Sequence, residues 1–119
     1  MPDKFIVSSA LLKNPKVRHI SIAAYPGAEV LDITGPFEVF AFASLHLQRV
    51  GLVKDPVYLI EIVAEKTGAI TTMTCLQDVV NRAFGDICDG IDTLMIPGSV
   101  DMQQVVLDNI ALFVSHRAF

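Results

Sequence analysis

Apolar residues fall in short blocks along this chain, and the spacing inside each block alternates between strand-like and helix-like. Val17 to Tyr25 (VRHISIAAY) carries Val17, Ile20, Ile22, Ala23 and Ala24 and stops at Pro26-Gly27. That pattern predicts a mostly buried strand of a parallel sheet. A connector over Ala28 to Thr34 leads into Gly35-Pro36-Phe37-Glu38, where Gly35 suits a cap, Pro36 the first helical position and Glu38 the first turn. The predicted helix runs to about Val50. Phe37, Phe40, Ala41 and Leu45 form one apolar stripe, and Val39, Phe42, Ala43 and Leu47 form a second beside it, so more than one side of the helix should be covered.

Gly51 ends the helix and Lys54-Asp55-Pro56 turns the chain into a second strand, Val57 to Ala64. Ala69 to Leu76 (AITTMTCL) is rich in β-branched residues and predicts short strands outside the main sheet. Asp78 to Phe84 is expected to form a short helix, and Gly85 to Gly90 a loop. Asp92 to Ile96 is a compact strand ending at Pro97-Gly98. Asp101 opens a last helix with Gln104 as its capping-box partner and Met102, Val105, Val106, Ile110 and Phe113 on the apolar side.

Strands alternating with helices in this order predict an α/β domain, a three-layer α/β/α arrangement with a mainly parallel sheet whose sites lie at the carboxyl ends of the strands. Residues 1–16 lack sustained periodicity and read as an N-terminal arm, which leaves 17–119 for the domain. At 119 residues there is room for one core only. A hydrophobic fraction of 52% with 18% charged residues excludes a disordered chain. Nine Lys and Arg against 13 Asp and Glu give a net charge of -4, which disfavours direct contact with nucleic acid or anionic lipid. No secretion signal is evident, and no window approaches the roughly 18 uninterrupted apolar residues of a membrane helix. A cytoplasmic protein without membrane contact is expected.

Two strand ends offer chemistry. Asp32 stands among apolar neighbours just before the predicted helix start, where it either caps the turn by accepting backbone N–H bonds or serves a ligand. Pro97-Gly98-Ser99 is a strand running into a glycine turn before a helix, where backbone N–H groups can face an anion. Cys75 and Cys88 have neither zinc nor redox spacing and sit outside any strand-to-helix elbow, so structural roles are expected for both. His19, His46 and His116 fall on separate elements with no metal-binding spacing. Neither a metal nor a cofactor is expected.

Taken together, AYPGAEVLDITGPFEVFAFA and the later IDTLMIPGS resemble the ThiJ/PfpI family of the class I glutamine amidotransferase-like superfamily. The resemblance covers residues 17 to about 116 and is most specific at D-x-x-G-P-x-E-V-F. It is strongest toward the amidase-like N-terminal domains of AraC-family transcriptional regulators and next toward isocyanide hydratases; the insert around Gln48 to Pro56 looks more like the regulators. The resemblance implies a flavodoxin-like fold, here incomplete. It also implies that an acid at the position of Asp32 hydrogen-bonds a cysteine on a strand-to-helix elbow, and that the turn at Gly98 helps form an oxyanion pocket. The chain departs from the family's P-G-G-x-G turn, since Ser99 and Asp101 replace glycines, and it ends at Phe119 before the elbow strand.

The expectation that follows is a ligand-sensing and dimerisation module of an AraC-family regulator, non-catalytic in this chain, with Asp32, Gly35, Gly98 and Ser99 lining the site. Its expected partners are a small-molecule ligand and a second copy of itself, with DNA contacted only through a separate domain. The alternative is a ThiJ/PfpI-type cysteine enzyme, an isocyanide hydratase, amidase or glyoxalase-like protein, whose nucleophile lies beyond residue 119.

Overall fold

Strand β1 (Arg18–Ala23) is an inner strand of the main sheet, buried from His19 onward, and one of the two turns that build the site leaves its end. The computed structural model describes residues 16–86 and 90–108. Most of the predicted arm, together with Cys88, Ile110, Phe113 and His116, lies outside them. After β1 come α1 (Val30–Arg49), β2 (Tyr58–Ala64), β3 (Gly68–Thr71), β4 (Gln77–Val80), β5 (Arg82–Ala83), a 3-10 turn over Phe84–Asp86, β6 (Thr93–Met95) and α2 (Met102–Asp108).

The main sheet has the order β5-β2-β1-β6. Every pairing in it is parallel, with Ile20 opposite Ile60 in β2 and Thr93 in β6. The expected mainly parallel α/β fold is therefore what forms. Alternation along the paired strands puts Ile20, Ile22, Tyr58, Ile60 and Ile62 on one face and His19, Ser21, Glu61 and Val63 on the other. Helix α1 packs on the first face. Ser44 Oγ accepts the Tyr58 backbone N–H at 3.1 Å, and the Phe40 and Tyr58 rings meet edge-on with centroids 4.9 Å apart. The core joins Ile22, Ala24, Tyr25, Ile33, Ala64, Ile70, Val80 and Val105.

Two sequence expectations need correction. The helix starts at Val30 rather than at Pro36, which sits inside it. Glu29 takes the N-cap position because its own N–H is tied to the Gly98 carbonyl at 2.9 Å, an anchor no local pattern can show. Pro36 has no N–H for the Asp32 carbonyl one turn back, so that carbonyl gives up one helix bond. The helix predicted over Asp78 to Phe84 is instead β4, β5 and the 3-10 turn. Asp78 and Val79 pair with Ile70 and Ala69 in an antiparallel hairpin, and only Val80 is buried there, so no helical stripe exists to bury. That hairpin stands apart from the main sheet, as the sequence predicts for the segment after Thr67-Gly68.

Candidate functional site

Strand order reverses at β1: β2 lies on one side of it and β6 on the other. The crevice beyond the carboxyl ends of β1 and β6 is thus the place where an open parallel sheet presents a site. Two turns meet there. The turn after β1 needs Gly27, whose φ of +87° strains any residue with a side chain. The turn after β6 is Pro97-Gly98-Ser99.

Four hydrogen bonds lace the two turns together. Asp32 Oδ2 accepts the Gly98 N–H at 2.9 Å. The Gly98 carbonyl accepts the Glu29 N–H at 2.9 Å. Ser99 Oγ donates to the Gly27 carbonyl at 2.8 Å. The Tyr25 hydroxyl donates to the Pro97 carbonyl and lies 3.5 Å from Met102 Sδ. Behind them, the Gly27 N–H donates to Thr71 and the Met73 N–H to Ala28, so the β3–β4 hairpin braces the first turn.

Gly98 is a glycine for a reason of space. A Cβ there would stand 3.1 Å from Asp32 Oδ2 and 4.0 Å from Glu29 Oε2. Those two acids and the buried Tyr25 ring surround the turn. Burial holds the Tyr25 phenol above its usual range, and the Asp32 and Glu29 carboxylates push it the same way. Asp32 itself is exposed and borders a cleft of about 380 Å³ with Leu31, Pro36, Leu94, Met95 and Ile96.

Asp32 and Gly98 are therefore in direct contact, and Ser99 is tied to the Gly27 carbonyl beside them. Gly35 stands inside α1, with nothing within 4 Å of where its Cβ would be. Asp101 turns its carboxylate to capping, with Oδ1 accepting the Gln104 N–H at 3.2 Å. The reciprocal half of the capping box is replaced by a bond from Gln104 Nε2 to Asp108 at 2.8 Å. Cys75 is exposed at φ 70° in the β3–β4 turn, away from any elbow and burying nothing. Sequence reasoning missed Tyr25 and Glu29. An aromatic residue closing a buried strand directly before Pro-Gly was the available signal for the first; nothing local marks the second.

A second polar cluster lies on the sheet face turned away from α1. His19 Nε2 is 2.7 Å from Glu61 Oε1, Ser21 Oγ donates to the same oxygen at 3.2 Å, and Arg82 Nε is 3.4 Å from Glu61 Oε2. The His19 N–H donates to Asp92 Oδ2 at 2.8 Å. That bond holds the Asp92 carboxyl below its usual range, with Lys16, Arg18 and His19 adding to the effect and desolvation opposing it. The Ser21 hydroxyl is committed to Glu61, so these groups tie strands together rather than form a nucleophile. Among the described residues, no group of three or more His, Cys, Asp and Glu is arranged to hold a metal ion.

No family model matches the sequence, and no curated protein matches it. Among solved structures, the chain resembles a ThiJ/PfpI family protein from Pseudomonas syringae, with 24% identity and a TM-score of 0.66 over 96% of this chain and 40% of that one. A DJ-1 superfamily protein from Agrobacterium tumefaciens superposes with 15% identity and a TM-score of 0.45 over 85% of this chain and 50% of that one. The first likeness establishes a shared fold, and this chain spans 40% of the length of that relative.

Proposed function

We propose that the chain is the ligand-sensing module of an AraC-family transcriptional regulator, binding a small polar molecule at Asp32 and Gly98 without turning it over. One observation carries this reading: the acceptor on Asp32 and the donor on Gly98 satisfy each other at 2.9 Å. A ligand that offers a donor beside an acceptor, such as a primary amide, can replace that bond with two of its own, whereas an oxyanion must displace the carboxylate first. The side chains on Ser99 and Asp101 support it further, because each is committed to a structural hydrogen bond. The acidic balance of the chain fits DNA contact through a separate domain, and a cytoplasmic setting suits such a regulator.

The alternative reading is a ThiJ/PfpI-type cysteine enzyme whose thiol comes from beyond residue 119. The exposed position of Asp32 at the carboxyl ends of the strands favours it, since an acid there can meet a thiol carried on a further element. Isocyanide and methylglyoxal turnover assays separate the two. When they are run on the protein with the sequence beyond residue 119 in place, the sensing reading predicts no cysteine-dependent rate and a ligand-induced rise in melting temperature that Asp32→Asn weakens.

A further inference from the structure

A second cavity opens on the β2 side of β1, where the Asp32 cleft opens on the β6 side. It lies between the carboxyl ends of β1 and β2 and the start of the β3–β4 hairpin, and it shares no lining residue with that cleft. Its volume is about 300 Å³, at the small end of ligand sites and suited to a molecule of amino-acid size. Alanines at the ends of both strands leave the space: Ala24 and Ala64 are buried beneath it together with Ile70. Glu65 and Lys66 stand exposed at its rim. Neither forms an ion pair with any described residue, the other included. An apolar floor therefore lies under one free negative and one free positive charge.

We propose that this cavity binds a free aliphatic α-amino acid, with its side chain on the alanine floor, its carboxylate at Lys66 and its ammonium at Glu65. The pair of charges decides the class. A simple carboxylic acid brings a second anion to Glu65, and a simple amine brings a second cation to Lys66, so each is attracted by one group and repelled by the other. A zwitterion satisfies both. A sugar would set its hydroxyls against Ala24, Ala64 and Ile70, whose side chains offer no hydrogen bond in exchange for lost water. The site is separate from the one at Asp32 and Gly98. An aliphatic amino acid has no amide to replace the bond between those two residues, so either proposal can fail without the other.

The test is titration of the isotopically labelled protein, with the sequence beyond residue 119 in place, by L-leucine into the millimolar range, following the backbone amides. Saturable shifts centred on Thr67 and Ala69 are expected. Isocaproate and isopentylamine, which each lack one of the charges, should bind at least about fivefold more weakly, as should glycine, which lacks the side chain. Lys66→Gln and Glu65→Gln should each weaken leucine about threefold. Ala69→Leu, which adds bulk at an exposed lining position, should abolish the shifts. All three substituted residues are exposed, so the unliganded spectra should otherwise match the wild type. No saturable shift with leucine, shifts centred on Gly98 instead, singly charged analogues that bind as well as leucine, or leucine binding unchanged by the charge substitutions or by Ala69→Leu would overturn the proposal.

Discussion

The Asp32 carboxylate and the Gly98 amide meet at 2.9 Å across 66 residues of sequence. Each belongs to a turn that leaves a central parallel strand, and neither turn holds its shape by local bonding alone. Because Asp32 is exposed, the bond's worth to stability is modest, about 1 kcal/mol. Asp32→Ala should cost about that in urea unfolding, whereas Asp32→Asn, which keeps an acceptor oxygen, should cost less and show its main effect on ligand binding.

Gly98→Ala tests the same contact from the other side. The added methyl meets the Asp32 carboxylate at 3.1 Å. That oxygen must retreat, so the variant should lose about 1 kcal/mol and most of any ligand-induced rise in melting temperature. A variant with wild-type stability and ligand response would show that the close approach has no consequence.

Tyr25 closes the site from below, so Tyr25→Phe leaves the Pro97 carbonyl without its hydroxyl donor and should cost about 1–2 kcal/mol. The pH dependence has a definite sign. The folded phenol titrates above its unfolded counterpart, so its contribution is complete below about pH 10 and fades as pH rises toward the folded value. Unfolding curves of the wild type should lose stability in that alkaline window, and those of Tyr25→Phe should lose less.

Asp92 behaves in the opposite sense. Its folded carboxyl titrates below the unfolded one, so its contribution is present above about pH 4 and is lost as pH falls through the folded value. Asp92→Asn should flatten the stability profile on the acid side and leave it unchanged near neutrality in slope.

Glu61 holds His19, Ser21 and Arg82 at once. Replacing it with Leu leaves a buried histidine and hydroxyl without their acceptor, and a loss of about 2–4 kcal/mol is expected from denaturant titration.

The parts of the fold that could be read in sequence are those set by local periodicity. Ile22, Ile60, Ile62 and Ala64 announce their strands because they join one core. What escaped reading was set at a distance. The start of α1 depends on the Glu29 amide reaching Gly98, which outweighs the local preference of Pro36 for a first turn. The residues after Gln77 became a hairpin because β3 was there to pair with, while their own pattern fits a helix as well. In the site, Asp32 and the Gly98-Ser99 turn were legible as interruptions of apolar runs. Tyr25 was not, since a buried aromatic at a strand end reads as core until its hydroxyl is seen against Pro97. His19 and Ser21 alternate with Ile20 and Ile22, and that alternation was the overlooked sign of a polar face.

The central claim is that the Asp32–Gly98 pair opens to a donor–acceptor ligand and performs no chemistry on it. Its most direct test is titration of the isotopically labelled chain with acetamide, following the Gly98 amide resonance and ammonia release together. The account predicts a saturable shift of the Gly98 signal that Asp32→Asn removes, with no ammonia formed. A Gly98 signal that stays still, or ammonia released by the wild type and lost on thiol alkylation, would contradict it.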